Sequence, residues 1–380
     1  MKNRIVGVFF TFFLLFSIDN LHAQKVSDPL ASKETVALFN NLYSLSKHST
    51  LFGHQDDMAY GVKWRYKEGK SDIKSLTGEY PAIFGWDIGH LELGNEVNLD
   101  GVPFSKMQEY IIDGYNRGTA ITISWHLRNP LTGGTSWDTT KNTVTSILKG
   151  GSKHQLYVDW LDKVAAFMNG LKGKNGEAIP VLFRPFHEVT GHWFWWCENV
   201  CSPEEFKELW RFTVNYLRNE KSLHHLLYVY NTAEIKSSHH FDQFYPGDDV
   251  VDVISMDTYQ HYPNEDRDAF IKKARSFLEI LHPIALEKKK IMAFAETGYE
   301  AIPDKQWWTK TLLPVLEGFP VAWVLVWRNH GFMESTNKMH YYGPYPGQKS
   351  ARDFKKFYRN PRILFEKDIR KQHIYNSVEK

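Results

Sequence analysis

Residues 179–196 read IPVLFRPFHEVTGHWFWW, and the first half of this stretch decides the architecture. Ile179 to Phe183 is almost continuously apolar, too short for a buried helix, and it breaks at Arg184-Pro185 into polar residues. A run of this kind reads as a strand covered on both faces, the habit of parallel sheets. That reading disposes of one chemical suggestion. HEVTGH superficially resembles the H-E-x-x-H zinc motif, but His192 follows His187 by five residues, and the motif needs both histidines on one face of a helix. A strand before it, a proline at its start and Gly191 within it exclude that helix. No metal site is expected.

Seven further runs have the same form: STLFGHQ from Ser49, PAIFGWDI from Pro81, TAITISWH from Thr119, HLLYVYNT from His225, VVDVISMDTY from Val250, KKIMAFAETG from Lys289 and VAWVLVWRN from Val321. Helical patterns lie between them, over Ser105–Arg117, Gln155–Leu171, Asp266–Leu281 and Lys305–Glu317. Another opens at Ser202-Pro203-Glu204-Glu205, a capping box with proline in the first turn, and runs through Leu217. Eight strands alternating with helices predict a single α/β domain, a (β/α)8 TIM barrel over residues 24–380. No linker, repeat or shift of composition divides it.

In such barrels the active site lies where strands end and βα loops begin. The eight ends read His54-Gln55, Asp87, Trp125-His126, His187-Glu188, Asn231, Asp257–Tyr259, Glu296 and Trp327-Arg328. Glu188 closes the fourth strand and Glu296 the seventh, so the two face each other across the mouth. Two glutamates so placed can flank a glycosidic bond, one protonating the leaving oxygen and the other attacking the anomeric carbon. The chain is also rich in rings, 15% aromatic with 13 tryptophans. Indole faces stack on the apolar C–H faces of pyranose rings, while arginine, histidine and tyrosine bond the hydroxyls.

Four motifs in order, RPFHEVTGHWFWW, YPGDDVVDVISMDTY, AETG and VLVWRNHGF, resemble those of glycoside hydrolase family 26, and the likeness runs from about Leu51 to Asp368. The resemblance implies a retaining (β/α)8 glycosidase, characteristically a β-mannanase, with Glu188 as acid/base and Glu296 as nucleophile. It further implies that His187 lines the subsite of the cleaved sugar, Trp193 walls the leaving-group side and Tyr259 bonds the nucleophile. Trp327 would lie under the cleaved sugar, with Arg328 and His126 one sugar further toward the non-reducing end. Tyr259 and Arg328 would then favour the ionised form of Glu296. Where family members commonly carry methionine-asparagine after the acid/base, this chain has Val189-Thr190, and no contact of that asparagine carries over.

The expected activity is therefore hydrolysis of β-1,4-mannosidic linkages in mannan, glucomannan or galactomannan, endo-acting or mannobiose-releasing, without a cofactor. The alternatives are the same chemistry on β-1,3-1,4-glucan or xylan, or a non-catalytic glycan-binding barrel, for which a facing acid pair would be superfluous. Formal charge is +2 with both signs interspersed, which gives no footprint for nucleic acid or an anionic membrane. Lys2 and Arg4, an apolar run over Ile5–Phe16 and Leu21-His22-Ala23 predict a cleaved signal peptide over residues 1–23. The mature protein is expected to be exported, periplasmic or secreted, without membrane insertion, and monomeric. Cys197 and Cys201, the only cysteines, are expected to pair in an oxidising compartment. The segment from Leu131 to Gln155 is expected to be a long loop able to wall one end of the cleft.

Overall fold

A computed structural model describes residues 25–377 except Tyr262 and Asn264; the expected signal peptide lies outside the described residues. Each of the eight apolar runs forms a strand: β1 Thr50–Gln55, β2 Ile83–Asp87, β3 Ala120–Trp125, β4 Val181–Pro185, β5 Leu226–Thr232, β6 Val253–Gln260, β7 Ile291–Tyr299 and β8 Val321–Val326. Each pairs in parallel with the next, and β8 pairs back onto β1 with Leu51 opposite Trp323 and His54 opposite Val326. The sheet is thereby closed into a barrel.

The continuous apolar runs follow from this closure, because a barrel strand is buried on both faces. Inward positions such as Leu51, Ile83, Leu182, Leu227, Val253, Ala293 and Trp323 form an inner core. The helix Lys33–Ser46 covers one end of it with Leu38, Phe39 and Leu42. The alternate residues, Phe52, Phe84, Ile121, Phe183, Tyr228, Ile254 and Phe294 among them, face the surrounding helices. Going up the barrel the inward positions turn polar: Leu182 gives way to Arg184, Val229 to Asn231, Val253 to Ser255 and Asp257. This switch from apolar to polar along one face of these strands carries the site.

One irregularity matters there. Met256 of β6 pairs with Phe294 of β7, but Asp257 pairs with Glu296, so Ala295 is an extra residue. Ala295 belongs to the inner core and Glu296 lines the cleft above it. A bulge is a common device for re-aiming a side chain beside an active site.

The helices depart from expectation mainly at their ends. Phe104–Asn116 and His154–Asn169 match within two residues, and the Ser202–Glu205 capping box is formed in both directions. The helix Arg267–Glu287 runs six residues further than expected, through Pro283, because Leu281, Ile284 and Ala285 continue its buried face. Lys305–Glu317 is instead a wide π turn, Trp308–Leu312, followed by the short helix Leu313–Leu316. The segment 131–155 is not a plain loop, since Thr143–Ile147 is helical within it.

The expected Cys197–Cys201 bridge is not formed. Both thiols are free and buried. The Cys201 N–H donates to the Cys197 carbonyl at 3.2 Å, which sets the two residues one helical turn apart. Each thiol then donates to a different carbonyl, Cys197 to that of Glu188 at 3.3 Å and Cys201 to that of Trp196 at 3.5 Å. Burial pushes both thiols up, that of Cys201 to about 12, so neither is primed as a thiolate.

Candidate active site

Glu188 sits on a tight backbone. Phe186 and Glu188 have positive φ, 50° and 57°, unusual for side chains of their size. The geometry is held from neighbouring strands: the Glu188 N–H donates to Oδ1 of Asn231, at the end of β5, at 2.7 Å. Phe186 is buried among Trp195, Trp196, Phe206 and Trp210. The three-tryptophan segment thus divides its work. Trp195 and Trp196 are core, whereas Trp193 is 39% exposed and its indole N–H donates to Glu188 Oε2 at 2.5 Å. Thr190 accepts a bond from the Ala233 N–H at 3.0 Å, which gives the departure from the family's asparagine a structural use.

Glu296 is buried opposite. Tyr259 donates to its Oε2 at 2.8 Å, as the motif implies. The guanidinium at its other oxygen belongs to Arg184, which also bonds Asp257 at 2.7 Å. The expectation had Arg328 as the arginine acting on Glu296; the guanidinium that bonds it is that of Arg184. Arg328 lines the cleft but is engaged by Asp100 at 3.1 Å and His330 at 2.8 Å. Arg184 is legible in hindsight: it lies two residues beyond the inward-facing Leu182 and so must face inward too.

Carboxylate oxygens of Glu188, Asp257 and Glu296 lie within 4.8 Å of one another. Three acids at that separation are a conceivable cation site, yet the Arg184 guanidinium already pairs with two of them. The electrostatics distinguish the glutamates. Burial, then the nearby Glu296 charge, raise the Glu188 pKa to about 7, against the Trp193 hydrogen bond and the positive charges of Arg184 and His126. Glu296 instead accepts hydrogen bonds from the Tyr259 hydroxyl and the Arg184 guanidinium.

The remaining residues named from the sequence also converge. His126, His187 and Trp327 line the same cleft as the two glutamates. The rings of His126 and Trp327 are 6.1 Å apart, and His126 Nε2 lies 3.1 Å from His187 Nε2. The cleft also takes in Trp137, Asp100, His340 and Tyr342. None of these four ends a barrel strand, so no apolar run marks them.

Fold and site together define a closed parallel barrel with a facing glutamate pair at its mouth and aromatic side chains around it. The sequence profile described as glycosyl hydrolase family 26 matches residues 27–300, and the chain belongs to that family. A mannan endo-1,4-beta-mannosidase of Bifidobacterium adolescentis is 31% identical over 371 residues, 93% of this chain and 36% of that protein. Mannan endo-1,4-beta-mannosidase A and B of Caldalkalibacillus mannanilyticus is 28% identical over 319 residues, 78% of this chain and 57% of that one. The chain therefore spans between a third and three-fifths of these relatives. A solved GH26 beta-mannanase from Bacteroides ovatus is 46% identical and superposes with a TM-score of 0.87, covering 92% of this chain and 99% of that one.

Proposed function

We propose that the protein is an exported, retaining glycoside hydrolase that cleaves β-1,4-mannosidic linkages. The observation that carries the mechanism is the approach of Glu188 and Glu296 oxygens to within 4.8 Å. Retaining enzymes keep their carboxyl groups about 5–5.5 Å apart, whereas an inverting pair is about 6.5–9.5 Å apart to admit a water. Glu188, held protonated toward neutrality, gives its proton to the glycosidic oxygen as that bond breaks. Glu296 forms a bond to the anomeric carbon. In the second half, Glu188 takes a proton from water, the water oxygen bonds to the anomeric carbon from the face the leaving group vacated, and Glu296 is released. Tyr259 and Arg184 hold Glu296 in place as the attacking carboxylate. The names of the relatives support mannan as the substrate.

The test is the anomer of the first product. NMR within minutes of mixing with unbranched β-mannan should show a new β reducing end. An α product would overturn the double displacement. Faster release of reducing sugar from lichenan or xylan than from glucomannan or galactomannan would overturn the substrate.

A further inference from the structure

We propose that Asp87 is a positioning residue for the reaction: it holds His126 doubly protonated, so that His126 Nε2–H donates to His187 Nε2, fixes the His187 proton on Nδ1 and sets an imidazolium beside Glu188. Asp87 ends β2 and is fully buried. Its Oδ1 accepts from the N–H groups of Gly89 at 2.8 Å and His126 at 3.2 Å. Its Oδ2 accepts from the Ser124 hydroxyl at 2.5 Å and from His126 Nδ1 at 2.7 Å. Three of these donors, the Gly89 and His126 N–H groups and the Ser124 hydroxyl, hold in any tautomer, and with the Asp87 carboxylate ionised beside them the proton of the fourth contact lies on His126 Nδ1. Burial opposes that charge, but the His126 ring and these hydrogen bonds prevail and hold the pKa at about 2.

One hydrogen then lies between the two Nε2 atoms, and its owner decides what His187 can do. Three features give it to His126. The Trp137 ring stacks over the imidazole at 5.4 Å and 18°, a contact that favours a cation. Asp87, Glu296 and Glu188 all lie near enough to raise the His126 pKa, and together they outweigh its burial. For His187, burial, His126 and Arg184 all act the other way and hold it well below the ordinary histidine value. His187 is thus neutral, accepts at Nε2 and bears its proton on Nδ1. That atom is buried without a partner in a residue that lines the cleft. With no partner of its own at Nδ1, His187 takes its tautomer from the bond at Nε2, and through it from Asp87. The imidazolium has a second effect, because its charge lowers the Glu188 pKa and so sets where the acid titrates.

The kinetic consequence rests on the glycosidase reading; the proton positions do not. Neutron diffraction from deuterium-exchanged crystals near neutral pH should show deuterons on His126 Nδ1, His126 Nε2 and His187 Nδ1. A deuteron on His187 Nε2, facing a bare His126 Nε2, would overturn the proposal whatever the enzyme hydrolyses. Asp87→Asn removes the counter-charge at nearly constant shape. It should lower kcat/KM on mannan about tenfold or more and move the alkaline limb of the pH profile upward, because Glu188 loses a nearby cation. Wild-type kcat/KM with an unmoved limb would also overturn it. A wild-type protein inert on every glycan would refute the glycosidase reading and leave the neutron result standing.

Discussion

At Glu188 the barrel does something a solvated carboxylate cannot. Burial and the Glu296 charge bring its pKa to about 7, while the Trp193 indole N–H, bonded to the ionised form, holds it from going higher. With Glu188 as the proposed acid, activity should fall as pH rises through this pKa, and the alkaline limb of kcat/KM would report it in the free enzyme. Trp193→Phe keeps a ring in the cleft and removes the N–H. The carboxylate loses a donor, its pKa rises, and the alkaline limb should move to higher pH. The bond is to a charged group but the indole is part-exposed, so water replaces some of it and a shift of about half to one unit is expected. A pH profile of kcat/KM on mannan decides the sign, and a limb that moves down would show that the indole does not stabilise the carboxylate.

At the scale of elements, β6 and β7 carry the Glu296 side of the cleft and need their glycine. Gly298 has φ 155° and lies under Tyr342; a Cβ there would stand 2.3 Å from the Tyr342 ring. That ring packs edge-on against Tyr259 at 5.4 Å, and Tyr259 bonds Glu296. Gly298→Ala should therefore displace Tyr342, disturb Tyr259 and reduce kcat/KM about tenfold or more. Adding Tyr342→Ala should return part of the lost stability, measured by thermal unfolding. No recovery in the double variant would mean that the ring is not the obstacle. Why the strands were legible and Tyr342 was not follows from the same geometry. A strand buried on both faces must be apolar along its length, and the polar residues that follow the run mark its upper end, so Glu188 and Glu296 could be read directly, while the role of Tyr259 came from the resemblance. Tyr342, Asp100 and Trp137 reach the cleft from irregular segments whose course depends on what they pack against. Arg184 was hidden because it sits inside a strand motif, where only alternation with Leu182 shows its direction. The cysteine spacing fits a loop and a helical turn equally well, and two different carbonyls, those of Glu188 and Trp196, claimed the thiols.

Across the whole molecule, the features that close the barrel and those that do chemistry lie at opposite ends of the strands. Ile363 and Leu364 pair with Thr50 and Leu51 at the start of β1. Phe365 follows them, fully buried against Phe52 at 5.2 Å, Tyr358 at 4.8 Å and Phe354 at 6.0 Å. Nearby, Tyr375 donates to the Thr119 carbonyl at 2.8 Å and Asn41 to that of Ile374 at 2.9 Å. These contacts, together with the Lys33–Ser46 helix, cover the end of the barrel away from the glutamates. In TIM barrels this is the end that serves stability, while the loops after the strands serve function. Phe365→Ala should therefore cost about 3–5 kcal/mol of unfolding free energy, the usual range for emptying a buried phenylalanine site. Urea unfolding would measure it as a lower midpoint at unchanged slope. At a temperature where the variant remains folded, kcat/KM and the alkaline limb set by Glu188 should match wild type. A shifted pH profile with unchanged stability would mean that the two ends are coupled, and that the carboxylate geometry depends on packing far below the cleft.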